Sequence, residues 1–471
     1  MAIQLAIDEC LSVRNGRLFI EDCDADALAR RFGTPVTVIS EAQLRRNARR
    51  YRQEFGGRWP EGTVVVLASI KANFALATRW ILSHEGIGCD AFGAGELYAA
   101  LHGGVPPELL SVNGAIKSRE LLEMAVEAGA RITLDSAAEL ELVRQAAAAL
   151  GRRATVRFRL RPDFSALTEP TDWYEEPTPI AEAARLYKAG IPTDDVIELG
   201  RQALHMPELD LSGVHAHIGR HTNRTEQWPG IIDAYVDLLA RLRDAWDGWV
   251  PRELNLGGGY PVPRDPFGRG MARLQGRTGP APDLSSYAAV VTTSLRRALA
   301  EKGFQSRGLR LEIEPGRGMY GNAGIHLATV RNIKVQRTPE LHRWIETDTS
   351  DMFLPDVVWE HNRWTSLVTT KADRTTTLIA DIAGLSCQPD RIVADAALPD
   401  VEVGDTIAFL DTGAYQDGLA ANFNALPRPG MVLVTGDGAE WIKRPESIDD
   451  VFARDAVPDR LRPVPPRPGA A

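Results

Sequence analysis

Cysteine is scarce in this 471-residue chain: Cys10, Cys23, Cys89 and Cys387 are the four, with no close pair and no CxxC spacing. That argues against a disulfide framework and against a structural zinc site. Positive charge is also short, with 54 Lys+Arg against 63 Asp+Glu and a formal net charge of −9. A nucleic-acid partner and a polybasic membrane surface lose their electrostatic basis. No stretch approaches the roughly 20 uncharged apolar residues of a membrane span. The opening MAIQLAIDECLSVRNGR carries acids where a secretory signal needs a positive end and then an apolar run. A cytoplasmic, reduced protein is the expectation.

What is present is ordinary core-building material, 44% hydrophobic and 25% charged, in a length that admits two or three domains. One pattern recurs: a short apolar, β-branched run stops in polar residues or glycine, and a helical stretch follows. The runs are Val64 to Ile70, ending at Lys71; Gly86 to Cys89, ending at Asp90; Leu110 to Val112, ending at Asn113; and Arg131 to Leu134, ending at Asp135. They continue with Ala154 to Leu160, ending at Arg161; Leu211 to Ala216, ending at His217; Glu253 to Leu256, ending at Gly257, Gly258 and Gly259; and Leu309 to Ile313, ending at Glu314. Strands alternating with helices imply a parallel sheet. Eight such units predict an α/β chain with a (β/α)₈ TIM barrel, whose reactive groups sit at the C-terminal strand ends. A doubly wound open sheet is the competing arrangement.

Two intervals are long. The acidic stretch 171–176 (TDWYEE) and the arginine- and turn-rich PVPRDPFGRGMARLQGRTGPAP after Tyr260 could each cover a pocket or be plain surface excursions. After Gly318 the rhythm changes to short strands: Ile325 to Ile333, Ile345 to Thr347, Thr376 to Ile379, Thr406 to Leu410 and Met431 to Thr435. The expected division is an N-terminal segment 1–40 partly joining a β domain through Leu18 to Ile20, a barrel over 41–320, and a C-terminal antiparallel β domain over 321–471. Its proline-rich tail is expected to fray.

Several strand ends carry chemistry. Lys71 is either a lysine snorkelling at a strand end or a desolvated amine with a lowered pKa, able to form a Schiff base with a carbonyl. Gly257–Gly258–Gly259 is either a tight turn or a set of open N–H donors for a phosphate, and barrel phosphate sites favour the loops after the seventh and eighth strands. Arg317 follows the eighth. Glu314 is an ion-pair partner or a functional carboxylate, and His217 a core histidine or a site residue. Together, a lysine, a phosphate cradle and a carboxylate are what pyridoxal 5′-phosphate requires, the carboxylate keeping its pyridine nitrogen protonated.

The motifs SIKAN at Lys71, GAGEL at Gly93, HAHIG at His215, LGGGYPVP at Leu256, EPGR at Glu314, LSCQPD at Leu385 and DTGAY at Asp411 stand in the order seen in diaminopimelate and ornithine decarboxylases. From about Gly33 to Pro429 the chain resembles this family of fold-type III pyridoxal-phosphate decarboxylases. The resemblance implies an alanine-racemase-like barrel plus a β domain and amino-acid α-decarboxylation. It implies that Lys71 holds the cofactor, that His217 stacks on the ring and that Asp90 and Arg159 lie around it. Gly257, Gly258, Gly259, Gly316, Arg317 and Tyr415 would surround the phosphate, and Glu314 would pair with the ring nitrogen. Cys387 would reach the active site of a second copy in a homodimer and share the return of a proton with Lys71. The carboxylate at Glu314 favours decarboxylation, because alanine racemases place an arginine there.

Four departures touch the pocket. Arg220 replaces the serine usual after HIG, Arg161 the asparagine before Pro162, Gln388 the acid after the cysteine, and Leu354 the arginine before a proline. Loss of the acid and the arginine removes both partners for the far end of diaminopimelate, since an unpaired buried charge costs several kcal/mol. The expectation is a specialised amino-acid substrate, carboxylated or acylated, read by Arg220 or Arg224. The alternatives are a pyridoxal-phosphate racemase, for which no second base stands out, and a non-catalytic regulatory relative of ornithine decarboxylase.

Overall fold

In the computed structural model the described residues are 9–171, 178–217, 225–260, 283–359 and 364–462. The strands Thr63–Ser69, Gly88–Ala91, Leu110–Val112, Arg131–Leu134, Ala154–Arg159, Leu209–His215, Glu253–Asn255 and Arg310–Ile313 pair in parallel and close into a barrel. The predicted runs locate all eight, most within one or two residues. One shift matters. The second strand extends to Ala91, so Asp90 lies inside it, pointing inward, rather than after it.

Local chemistry explains the helices between them. Ser40 Oγ accepts from the N–H of Gln43 and caps Glu41–Gly56, and Asp283 caps Leu284–Glu301 through the N–H of Ser286. Gly151, at φ +61°, ends Ala137–Leu150 in a left-handed turn that costs a glycine least. One large apolar core joins the barrel and its helices, and two smaller ones lie under the second domain.

Inside the barrel, alternate strand residues stack in layers. A lower layer is ionic: Arg157 is wholly buried and meets Glu312 and Ser111, while Arg131 meets Glu253 at 2.6 Å. Above it, toward the C-terminal strand ends, lies the candidate site.

The second domain is a nine-stranded, mostly antiparallel sheet with two parallel pairs, His342–Thr347 with Leu378–Ala383 and Gly430–Thr435 with Val36–Ser40. Val36–Ser40, which precedes the barrel, lies between Gly324–Gln336 and Gly430–Thr435. The run Leu18 to Ile20 does not join this sheet. It pairs within a separate three-stranded sheet and meets the domain by packing and through the N–H of Leu18 to Thr369 O. Among the described residues no helix is long and apolar enough to cross a membrane.

Candidate active site

The first strand ends in a single 3₁₀ turn, Ile70–Ala72, that lifts Lys71 into the barrel mouth. The residue is exposed at the barrel mouth, yet its amine is desolvated by its surroundings. Burial alone would lower its pKa, but Asp90, Tyr415, Glu314 and Tyr187 together outweigh burial and raise it. The lowering that burial alone would bring is offset by the acids around the mouth.

Asp90 and Glu314 are both buried, and burial pushes both carboxyls upward, helped at Asp90 by the charge of Glu314. One amide links them. Asn113 Nδ2 donates to Asp90 Oδ1 at 2.6 Å and to Glu314 Oε1 at 2.7 Å. Asn255 Nδ2 gives Glu314 Oε1 a second donor at 2.7 Å, and Ser69 Oγ donates to Asp90 Oδ2 at 2.9 Å. His215 Nε2 lies 3.3 Å from Glu314 Oε2. Burial holds His215 and His217 well below the usual imidazole range, so both are neutral.

The glycine loop after the seventh strand is hydrogen-bonded to site side chains. The N–H of Gly257 donates to Asn255 Oδ1 at 2.7 Å, and that of Gly258 to His217 Nδ1 at 2.9 Å. These two donors orient site side chains, and Gly316, Arg317 and Tyr415 stand at the same end of the barrel. There a Cβ on Gly316 would lie 2.4 Å from Tyr415 Oη. Tyr415 adopts φ +67°, and its N–H bonds Ala72 O at 2.6 Å, tying it to the lysine turn. The Arg317 guanidinium lies 4.8 Å over the Tyr415 ring and pairs with Asp356, which also accepts from Gln416 Nε2 at 3.0 Å.

Arg159 is buried at the end of the fifth strand, 3.9 Å from Asp135 and over the Tyr187 ring. The structure thus brings Lys71, Asp90, Glu314, His217, Arg159, the glycine loop, Gly316, Arg317 and Tyr415 to one end of the barrel. Cys387 is not among them. Its thiol is exposed on the second domain, where its described bonds are both to Asn424. Gln388 is exposed beside it. Leu354 is corrected: it is wholly buried in the apolar core of the second sheet, so it fills that core rather than facing a substrate. Arg220, Arg224 and residues 172–176 lie outside the described residues.

Sequence reasoning missed Asn113, Asn255, His215 and Tyr187 as site residues. Asn113 was visible as a strand end, but a neutral amide carries no titratable signal. Among the described residues no group of His, Cys, Asp and Glu is arranged to hold a metal. The donor set fits pyridoxal phosphate instead: an amine in an open cavity, a buried carboxyl with two amide donors, and a corner closed by Gly316 with no room for a side chain.

Residues 41–321 match the family described as "Pyridoxal-dependent decarboxylase, pyridoxal binding domain". The chain is 31% identical to the diaminopimelate decarboxylase of Methanocaldococcus jannaschii, over 98% of this chain and 100% of that one. A crystal structure of the M. jannaschii enzyme with L-lysine superposes with a TM-score of 0.85 at 28% identity, covering 96% of this chain and 99% of that one. The lysine/ornithine decarboxylase of Vibrio vulnificus, at 18% identity, 87% and 97% coverage and a TM-score of 0.69, shares the fold.

Proposed function

Because the chain belongs to the pyridoxal-dependent decarboxylase family, we propose that Lys71 carries its pyridoxal 5′-phosphate and that the barrel mouth removes the α-carboxylate of a specialised amino acid. The carrying observation is that Lys71 stands at the same barrel mouth as Asp90 and Glu314, two carboxyls sharing the Asn113 amide. The cofactor supplies, when bound, an electron sink for the carbanion left by carbon dioxide.

The chain's own residues do the rest. Glu314, fixed by Asn113 and Asn255, would share a proton with the ring nitrogen. His217, neutral and pinned by the N–H of Gly258, would help hold the ring. Asp90 and Arg159 would border it, and Gly316, Arg317 and Tyr415, with the loop of Gly257, Gly258 and Gly259 beside them, would hold the phosphate. Lys71, or Cys387 of a second copy, returns the proton to the α-carbon.

The exposed Cys387 supports a homodimer, as do the exposed apolar residues Phe74, Phe92 and Ile116 near the mouth and Leu385 and Leu419 on the second domain. Sedimentation equilibrium should give twice the chain mass. Four thiols free of disulfides support a cytoplasmic setting.

The relatives are named for diaminopimelate. Gln388 is an amide where that family carries an acid, and Arg317 is already paired with Asp356, which supports a different side chain. Carbon dioxide release should be screened with D- and L-amino acids and meso-diaminopimelate. Diaminopimelate as the best substrate would overturn the specialised reading. For the site, Lys71→Ala should abolish both turnover and the borohydride-trappable yellow chromophore. A variant that stays yellow and reducible would refute the assignment of Lys71.

A further inference from the structure

Arg161 departs from the asparagine expected before Pro162, and the structure shows what it does. Its guanidinium donates to three backbone carbonyls at the end of the helix Ile180–Leu186: Tyr187 O at 2.7 Å, Ala184 O at 2.8 Å and Arg185 O at 2.7 Å. A cation on the last carbonyls of a helix satisfies acceptors that otherwise lack partners. The far side of the same short segment is tied as well. The N–H of Gly190 donates to Asp135 Oδ1 at 2.7 Å, and that of Ile191 to Arg159 O at 2.9 Å.

Between these two anchors stands Tyr187. Its ring covers the Arg159 guanidinium, 5.7 Å from the centroid, and its field acts on Lys71. It nonetheless remains 45% exposed. An aromatic residue whose backbone is anchored on both sides at the barrel mouth, with its side chain half open, is placed to meet an incoming substrate.

Building on the decarboxylase reading above, we propose that Tyr187 selects the substrate side chain by donating its phenol hydroxyl to a carboxylate or carboxamide at the far end, and that Arg161 is its positioning residue. The Arg159 guanidinium lies beneath the ring, 3.9 Å from Asp135. A second cation, such as a distal ammonium, would be repelled there, and an acceptor is favoured.

The test uses the holoenzyme and two probes of equal length, L-2-aminoadipate and L-lysine, each titrated against the cofactor's absorbance band. The wild type should bind aminoadipate more tightly. Tyr187→Phe should raise the apparent Kd for aminoadipate by about 5- to 10-fold, the worth of one hydrogen bond, and leave that for lysine unchanged. Arg161→Ala should reproduce this pattern, with cofactor affinity and the absorbance band intact. Arg161→Gln, which keeps bulk but not the three-pronged clamp, should do the same if the alanine variant folds poorly. Where aminoadipate is turned over, the loss should fall on KM rather than kcat. An unchanged aminoadipate Kd in Tyr187→Phe, an equal loss for both probes, or tighter lysine binding by the wild type overturns the role of Tyr187 while the decarboxylase reading stands. Failure of every amino acid in the screen both to shift the band and to release carbon dioxide overturns both.

Discussion

The amide of Asn113 serves two carboxyls that would otherwise face each other across the mouth. Its Oδ1 is spent in turn on Ser111 Oγ at 2.8 Å and on the Thr133 hydroxyl, so the side chain cannot rotate away. Asn113→Ala removes a donor from Asp90 and Glu314 at once. The expected cost is about 1–3 kcal/mol of stability, read as a lower urea midpoint, with cofactor affinity weakened in parallel. A second carboxyl pair lies outside the site. Asp351 is buried against Asp390, whose Oδ1 accepts the N–H of Asp351 at 2.6 Å. Burial, and then the charge of Asp390, push the Asp351 carboxyl up from 3.8 to about 6. The folded state therefore holds that proton more tightly than the unfolded chain. The resulting stabilisation is complete below about pH 4 and is lost as pH rises toward 6. Asp351→Asn should raise Tm over the wild type by more at pH 7.5 than at pH 5; equal gains at both would refute the assignment.

Among the elements, the loop after the seventh barrel strand shows how backbone conformation controls side-chain placement. Gly257 sits at φ +67°, and a Cβ there would lie 2.6 Å from His217 Nδ1 and 2.8 Å from Ala216 O. Gly257→Ala combines a left-handed cost of about 1–2 kcal/mol with displacement of His217. Cofactor affinity should fall by at least tenfold, measured by fluorescence titration. The barrel strands were legible because each is a short apolar run with a polar stop, the pattern a buried parallel sheet imposes. Asp90 misled as a stop because the barrel interior accepts polar residues, so a buried acid within a strand resembles its end. Val36–Ser40 was missed because nothing in five residues says they belong beside strands some 300 positions later. Arg391–Leu398 was missed because its Arg, Asp and Ala content reads as surface. The site's charged residues were legible at their strand ends. Its neutral supports, Asn113, Asn255 and Tyr187, acquire meaning only through their neighbours.

For the molecule as a whole, the corner of Arg317, Asp356, Gln416 and Tyr415 fastens the barrel to the second domain at the edge of the cavity. Asp356→Ala strips the charge partner from a mostly buried arginine, which costs about 3–5 kcal/mol where such a pair is fully buried. Hydrogen exchange should speed up on both sides of that corner, in Arg317–Tyr320 and in Gln416–Leu419, while the far barrel strands keep their protection. Exchange confined to one side would show that the pair does not join the two.

The strand Val36–Ser40 has a consequence for how the chain comes into being. It leaves the ribosome before any barrel strand, yet its two sheet neighbours are made only after the barrel is complete. Through most of synthesis it has open edges and waits, so the second domain closes as a late, long-range event around a barrel that has already formed. Cutting the gene at the end of the barrel would strand this segment permanently, and such a fragment should aggregate through it unless residues up to Ser40 are removed as well.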